Sequence, residues 1–168
     1  MASSKKLIYK FCPMCSTEMV SKVSNDEASQ VCPKCKFEFW NNPKPVASII
    51  VHEAGKVLLL RRANEPLKGA WCLPGGFIQW GEEAAEAVIR ECKEETGLVP
   101  DVCSVVGAYN IDNDPRGMHI DIIFEGKAKG SIVLSEEHDD YKFFEVNELP
   151  SVIAYKHREA IGDWRSGT

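Results

Sequence analysis

From residue 46 onward the chain carries two kinds of hydrophobic pattern. Val46–Val51 and Val57–Leu60 are short apolar runs rich in β-branched residues, and Glu53-Ala54-Gly55-Lys56 between them has the composition of a hairpin turn. A short strand-like segment at Ala70–Leu73 leads into Pro74-Gly75-Gly76, which reads as a loop. From Glu82 to Thr96 the period changes. Ala85, Val88, Ile89 and Cys92 fall at i, i+3, i+4 and i+7, the stripe of an amphipathic helix, and Gly97 is placed to stop it. Strand-like runs return at Val102–Ile111 and Met118–Lys127, separated by the turn-forming Asp112–Gly117. Tyr141–Val146 is a further short strand, and Pro150-Ser151 opens a last helix over Val152–Trp164. The order β-β-β-α-β-β-β-α predicts an α/β domain, a mixed sheet with helices packed on it.

Residues 1–40 follow a different rule. They hold Cys12-Pro13-Met14-Cys15, a polar stretch Ser21–Gln30 and Cys32-Pro33-Lys34-Cys35, with too little apolar material to fold unaided. Asn41-Asn42-Pro43-Lys44-Pro45 reads as a linker, so the expected division is a small unit at 1–40 and a larger domain at 41–168. Two C-x-x-C pairs separated by sixteen residues fit a four-cysteine zinc site formed by Cys12, Cys15, Cys32 and Cys35. Each pair closes a tight turn that offers two thiolates, and two such turns complete a tetrahedron with no open position. A zinc ion there is structural, and its binding supplies the folding free energy the segment lacks. Disulfides and a redox pair are the competing readings, the first disfavoured by the expected compartment and the second needing only one pair. Cys72, Cys92 and Cys103 read as inert packed residues.

Composition narrows the class. Hydrophobic residues make up 44% and charged residues 27%, as expected of a globular chain that buries a core. The net charge of −5 argues against a nonspecific nucleic-acid binder. A small anionic substrate stays open, because a bound cation reverses the local field. No apolar run has the length of a membrane span, and Leu7-Ile8-Tyr9 is too short for a secretory signal, so the expected compartment is the cytoplasm.

The chemistry lies in the helix. Glu91, Glu94 and Glu95 are related by i+3 and i+4 and project from one face. Clustered carboxylates repel one another unless a cation sits among them, and hard oxygen ligands suit Mg²⁺ or Mn²⁺. A solvated acidic helix face would have the same local composition. The longer pattern G-x5-E-x7-R-E-U-x-E-E-x-G-U, with U a bulky apolar residue, decides between them. It is met at Gly76, Glu82, Arg90, Glu91, Glu94, Glu95, Gly97 and Leu98, with Cys92 standing at one U position.

That pattern resembles the box of the Nudix hydrolases, and Leu73-Pro74-Gly75-Gly76 resembles the family's lead-in. The resemblance implies an α/β/α sandwich around a mixed sheet, with divalent metal held by Glu91, Glu94, Glu95 and the Gly76 carbonyl, and with Arg90 and Glu82 orienting the set. It implies attack of water on a phosphorus of a nucleoside diphosphate linked to another group. The base is open between Glu91, Glu136 and Glu137.

A zinc ribbon before such a domain is similar to two groups. NADH and NAD-cap pyrophosphatases carry an S-Q-P-W-P-F-P run after the box, and Val99–Asp121 holds nothing like it. The better resemblance is to the ADP-ribose and FAD pyrophosphatase kind. Sanitation of oxidised nucleoside triphosphates and a nucleotide-binding regulatory module are the other readings. Phe77, Trp80 and Tyr109 are candidate base-stacking residues. His119 and Asp121 share a strand face that could reach the active site, with solvated strand residues the preferred reading, and the four histidines cluster with no cysteine or carboxylate pattern in the sequence. The partner is a small-molecule nucleotide, and the ribbon is also a candidate homodimer interface.

Overall fold

The computed structural model describes residues 8–24 and 27–167. The N-terminal segment on which the signal-sequence argument rests lies largely outside them. The chain divides into two compact units, Met1–Asn42 and Pro43–Thr168.

In the first unit, β1 (Val20–Ser24), β2 (Glu27–Val31) and β3 (Glu38–Trp40) form an antiparallel three-stranded sheet in that order. The polar stretch Ser21–Gln30 thus supplies strands that its pattern did not announce. Two equivalent turns accompany the sheet, one before β1 and one between β2 and β3. The Ser16 N–H donates to the Cys12 carbonyl at 2.8 Å and the Lys36 N–H to the Cys32 carbonyl at 3.0 Å. Ser16 and Lys36 take the left-handed conformation that such tight turns need, at φ 58° and 64°. Among the described residues, Cys12, Met19 and Cys32 form the buried core here, with Cys15, Phe37 and Phe39 against them.

In the second unit, β4 (Lys44–Glu53), β5 (Lys56–Arg62), β8 (Val99–Ile111), β9 (His119–Lys129) and β10 (His138–Glu145) form a sheet of order β10-β5-β4-β9-β8. The β4–β9 pair is parallel and its neighbours are antiparallel, so the sheet is mixed. Ala47, Ile49, Val51, Leu58 and Leu60 pack on one face against Ala87, Val88 and Cys92 of helix α1 (Ala84–Thr96). Ile50, Val57, Leu59 and Ile123 pack on the other against Ala160 and Ile161 of α2 (His157–Ser166). Burial on both faces explains why β4 and β5 read as unbroken apolar runs, and the α/β/α sandwich is present.

Two departures from the predicted elements place the site. β4 and β5 pair only at their hairpin end, His52↔Val57 and Glu53↔Lys56, and then diverge. The segment after residue 70 fills the gap: β6 (Trp71–Cys72) pairs with β5, and β7 (Gly75–Phe77), expected to be a loop, pairs with β4. The prolines at 43 and 45 do not keep residues 44–45 out of the sheet, because β4 starts at Lys44 and its remaining donors find partners. The last helix starts at His157 rather than Val152. Residues 152–154 instead run beside Trp71, whose N–H donates to the Val152 carbonyl at 3.1 Å and whose carbonyl accepts from Ala154 at 2.8 Å. Tyr155 then turns the chain at φ 57°. Among the described residues no helix is long and apolar enough to cross a membrane.

Candidate active site

Gly75 and Gly76 are glycines for two separate steric reasons. A Cβ on Gly75 would lie 2.5 Å from the Ala47 carbonyl oxygen and from Ser48 Cα, which are backbone atoms of β4. A Cβ on Gly76 would lie 2.5 Å from Cδ of Glu91 and 2.6 Å from both its carboxylate oxygens. β7 therefore brings bare backbone against a carboxylate of α1. The Gly75 N–H donates to Glu95 Oε2 at 2.9 Å, tying the next turn of the helix to the same strand.

Arg90 organises the outer side. Its Nε donates to Glu82 Oε1 at 2.7 Å and its Nη2 to Glu82 Oε2 at 2.9 Å, a fork-on-carboxylate pair. The same guanidinium donates to Glu91 Oε1 at 2.6 Å, to Glu94 Oε2 at 3.3 Å and to the Phe77 carbonyl at 3.2 Å. Glu82 also accepts the Gln79 N–H at 2.9 Å, and Gly81 turns at φ 80°, so the predicted start of the helix at Glu82 is spent on this turn. The helix begins at Ala84, where the Glu86 carboxylate accepts the Glu83 N–H at 3.2 Å, and ends at Gly97, φ 72°.

The carboxylates differ in setting. The Arg90 guanidinium holds Glu82 down to about 2. Burial pushes Glu91 up against the pull of Arg90. Glu95 is 7% exposed, and burial pushes it well above the usual carboxylate range, with the Gly75 N–H opposing and Glu91 adding to the shift. Buried carboxylates beside other acids and glycine backbone form a hard-oxygen donor set of the kind that takes Mg²⁺ or Mn²⁺. Glu94 stands apart, with its side chain 60% exposed and leaning on Arg90. Among the described residues, the ligand atoms of Glu91, Glu94 and Glu95 do not converge within 4.8 Å of one another as the N-terminal cysteines do.

Glu91 and Glu95 face a cavity of about 370 Å³ in the second unit, and Glu137 lines it too. Of the acids at 136 and 137, only Glu137 is in its wall. Phe77 is there as well, with the Arg116 guanidinium 5.2 Å from its ring centroid. Arg116 is anchored by Asp114, through Nη2 to Oδ2 at 2.7 Å, and holds that buried carboxyl down to about 2.

Reading His119 and Asp121 as solvated strand residues is incorrect: both are 1% exposed and both line the cavity. The histidines do meet carboxylates, but across the fold. His157 Nε2 lies 3.1 Å from Asp121, His52 Nε2 2.8 Å from Glu125, and His138 Nε2 4.0 Å from Glu95. Sequence separations of 36 and 73 residues for the first two hide the pairing from any local pattern. Burial pushes His138 down to about 4, so it stands neutral beside Glu95.

The other aromatic candidates lie elsewhere. Trp80 is fully exposed on the turn before α1 and does not line the cavity. Tyr109 packs in the core on the α2 side and donates to Asp163 Oδ2 at 2.8 Å. Cys72 and Cys92 are buried, as expected, whereas Cys103 is exposed because its position on β8 faces away from both cores.

In the first unit the four sulfurs of Cys12, Cys15, Cys32 and Cys35 lie within 4.8 Å of one another. Cys12 and Cys35 are 3.6 Å apart and Cys15 and Cys32 3.5 Å, far beyond a disulfide bond. Thiolates bound at about 2.3 Å around a tetrahedral ion would stand roughly 3.8 Å apart. The geometry fits a four-thiolate metal site.

Comparison with known proteins agrees with this geometry. The NUDIX domain family matches residues 42–164. An ADP-ribose pyrophosphatase of Methanocaldococcus jannaschii is 39% identical over 137 residues, covering 79% of this chain and 80% of that protein. An NAD-capped RNA hydrolase of Pseudomonas aeruginosa is 26% identical over 147 residues, 88% of this chain but only 51% of that protein. The crystal structure of a NUDIX hydrolase from Nitrosomonas europaea superposes with a TM-score of 0.80 at 25% identity, covering 95% of this chain and 94% of the other. A glycine strand laid against a helix of glutamates, braced by one arginine and matched across three quarters of the chain, places the protein in the Nudix family of hydrolases.

Proposed function

We propose that this pyrophosphatase hydrolyses ADP-ribose to AMP and ribose 5-phosphate with Mg²⁺ or Mn²⁺, and that FAD is its next-best substrate class. The observation that carries the reading is the Glu91 carboxylate seated on Gly76 in one cavity with Glu95 and Glu137. The 39% identity to an ADP-ribose pyrophosphatase supports the choice of substrate.

Glu91 and Glu95 with the Gly76 carbonyl would hold the divalent ion, and the exposed Glu94 would complete the set by swinging toward the ion. When bound, it would neutralise the diphosphate and acidify the attacking water. The protein supplies the rest. Arg90 fixes Glu91 and, through Glu82, the turn that carries Phe77 and Gln79. Glu137, which lines the cavity where Glu136 does not, is the proposed base, ahead of Glu91, which Arg90 engages. Glu137 takes the proton of the water, the water oxygen bonds to phosphorus, and the bridging P–O bond breaks, leaving the second phosphate with its electron pair. Positioning and electrostatics carry most of the acceleration in such reactions. The four cysteines hold one structural Zn²⁺.

The test is a panel of ADP-ribose, FAD, NADH and oxidised dGTP, with products identified by mass. AMP and ribose 5-phosphate formed only with a divalent ion is the expected result. No hydrolysis of ADP-ribose, or preferred release of pyrophosphate from the triphosphate, would overturn the assignment.

A further inference from the structure

Asp121 is held from two sides through a single oxygen. Oδ2 accepts from Ser48 Oγ at 3.0 Å and faces His157 Nε2 at 3.1 Å. The Leu73 N–H donates to His157 Nδ1 at 2.9 Å, so Nδ1 carries the lone pair and Nε2 the proton. His157 therefore donates through Nε2 and orients Asp121. The other oxygen, Oδ1, is buried with no partner, and so is Nε2 of His119, two residues away on the same face of β9. On its far side His119 Nδ1 is 3.8 Å from Asp114 Oδ2, beyond hydrogen-bond reach.

Buried polar atoms are nearly always answered, and two unanswered ones on residues that line one cavity, one of them a carboxylate oxygen, call for a ligand that brings a donor. The carboxylate oxygen is an acceptor that answers hydroxyl or amine donors and not phosphate oxygens.

We propose that Asp121 and His119 form the specificity subsite of this enzyme, taking a substrate group that presents hydrogen-bond donors, either a ribose hydroxyl or the exocyclic amine of the base. The proposal rests on the cavity being the nucleotide site. A site built to hydrogen-bond a substrate group rejects analogues lacking it far more strongly than an apolar pocket does.

The full chain is assayed with ADP-ribose, its hypoxanthine analogue and its 2′-deoxyadenosine analogue. Loss of about tenfold or more in kcat/KM for one analogue, entering mainly through KM, is expected, and its identity names the group read. In Asp121→Asn the discrimination falls to within about twofold, with Ser48→Ala giving an intermediate loss. Because Asp121→Asn removes a buried braced group, the wild-type comparison stands alone if that variant does not fold. Calorimetric binding of AMP, IMP and 2′-deoxy-AMP with Mg²⁺ repeats the comparison without turnover. Absence of ADP-ribose hydrolysis would therefore sink the substrate assignment alone. Equal affinities for the three nucleotides, including none, or equal kcat/KM values across the analogues, would overturn the subsite and leave both atoms to ordered water.

Discussion

Replacing Gly76 with alanine tests whether catalysis depends on the close seat of Glu91. The added Cβ would stand 2.5 Å from the Glu91 carboxyl carbon, and an ordinary contact begins near 3.4 Å, so the carboxylate must retreat by about 0.9 Å. The obstructed atoms are the end of a flexible side chain, and Gly76 has no positive φ that alanine would resist. The fold should absorb the change, with the melting temperature within a few degrees of wild type. A misplacement near 1 Å in a catalytic group costs on the order of 10²-fold in rate, about 2.7 kcal/mol of barrier. We expect kcat on ADP-ribose at saturating Mg²⁺ to fall by about that factor. Gly75→Ala is the contrast. Its Cβ meets backbone of β4 at 2.5 Å, where nothing can swing aside, and a cost of at least ~2 kcal/mol should lower the melting temperature by about 4–8 °C. The reasoning is refuted if Gly76→Ala keeps wild-type kcat, or if it melts as early as Gly75→Ala.

Other consequences can be checked separately. Glu82 is held down to about 2 by Arg90, so the pair stabilises the fold fully above the ordinary carboxylate range near 4.5 and loses that contribution as pH falls through about 2. The melting advantage of wild type over Arg90→Gln should accordingly be constant above pH 5 and shrink across that window; an advantage unchanged at pH 2.5 would contradict the assignment. Tyr109→Phe should cost about 1 kcal/mol through its lost bond to Asp163 and leave KM for ADP-ribose unchanged. A raised KM would return Tyr109 to the site. Trp80→Ala, at a fully exposed position, should change stability by less than about 0.5 kcal/mol; a severalfold rise in KM would show that the ring closes on the substrate. Elemental analysis should find one zinc per chain, lost in Cys12→Ser, and zinc retained there would rule out the four-thiolate site.

What was legible in the sequence was local. The Gly76–Leu98 pattern and the two C-x-x-C pairs are readable because each is a contiguous stretch, and the four cysteine sulfurs do lie within 4.8 Å of one another. Glu94 shows the limit, because sharing a helical face with Glu91 and Glu95 did not put it in the cavity wall. β7 was hidden because two glycines have low strand propensity, and only its pairing with β4 makes it a strand. The start of α2 was missed because Trp71 draws residues 152–154 into a β bridge. Asp121 and His119 looked solvated because the helix that covers their face begins 36 residues after Asp121, at His157.

His157 also gives the enzyme an order of assembly. Its ring accepts the Leu73 N–H and donates a hydrogen bond to Asp121, joining the entry to the glycine strand, the middle of the sheet and helix α2. Chains emerge from the ribosome N-terminus first, so every glutamate of the box is available long before this ring is. Until α2 docks, the Leu73 amide and Asp121 lack the group that answers them both. A nascent or C-terminally nicked molecule could thus carry the whole hydrolytic set and still lack a finished substrate pocket. Helix α2, made well after the box, is the seal that separates a folded box from a finished pocket.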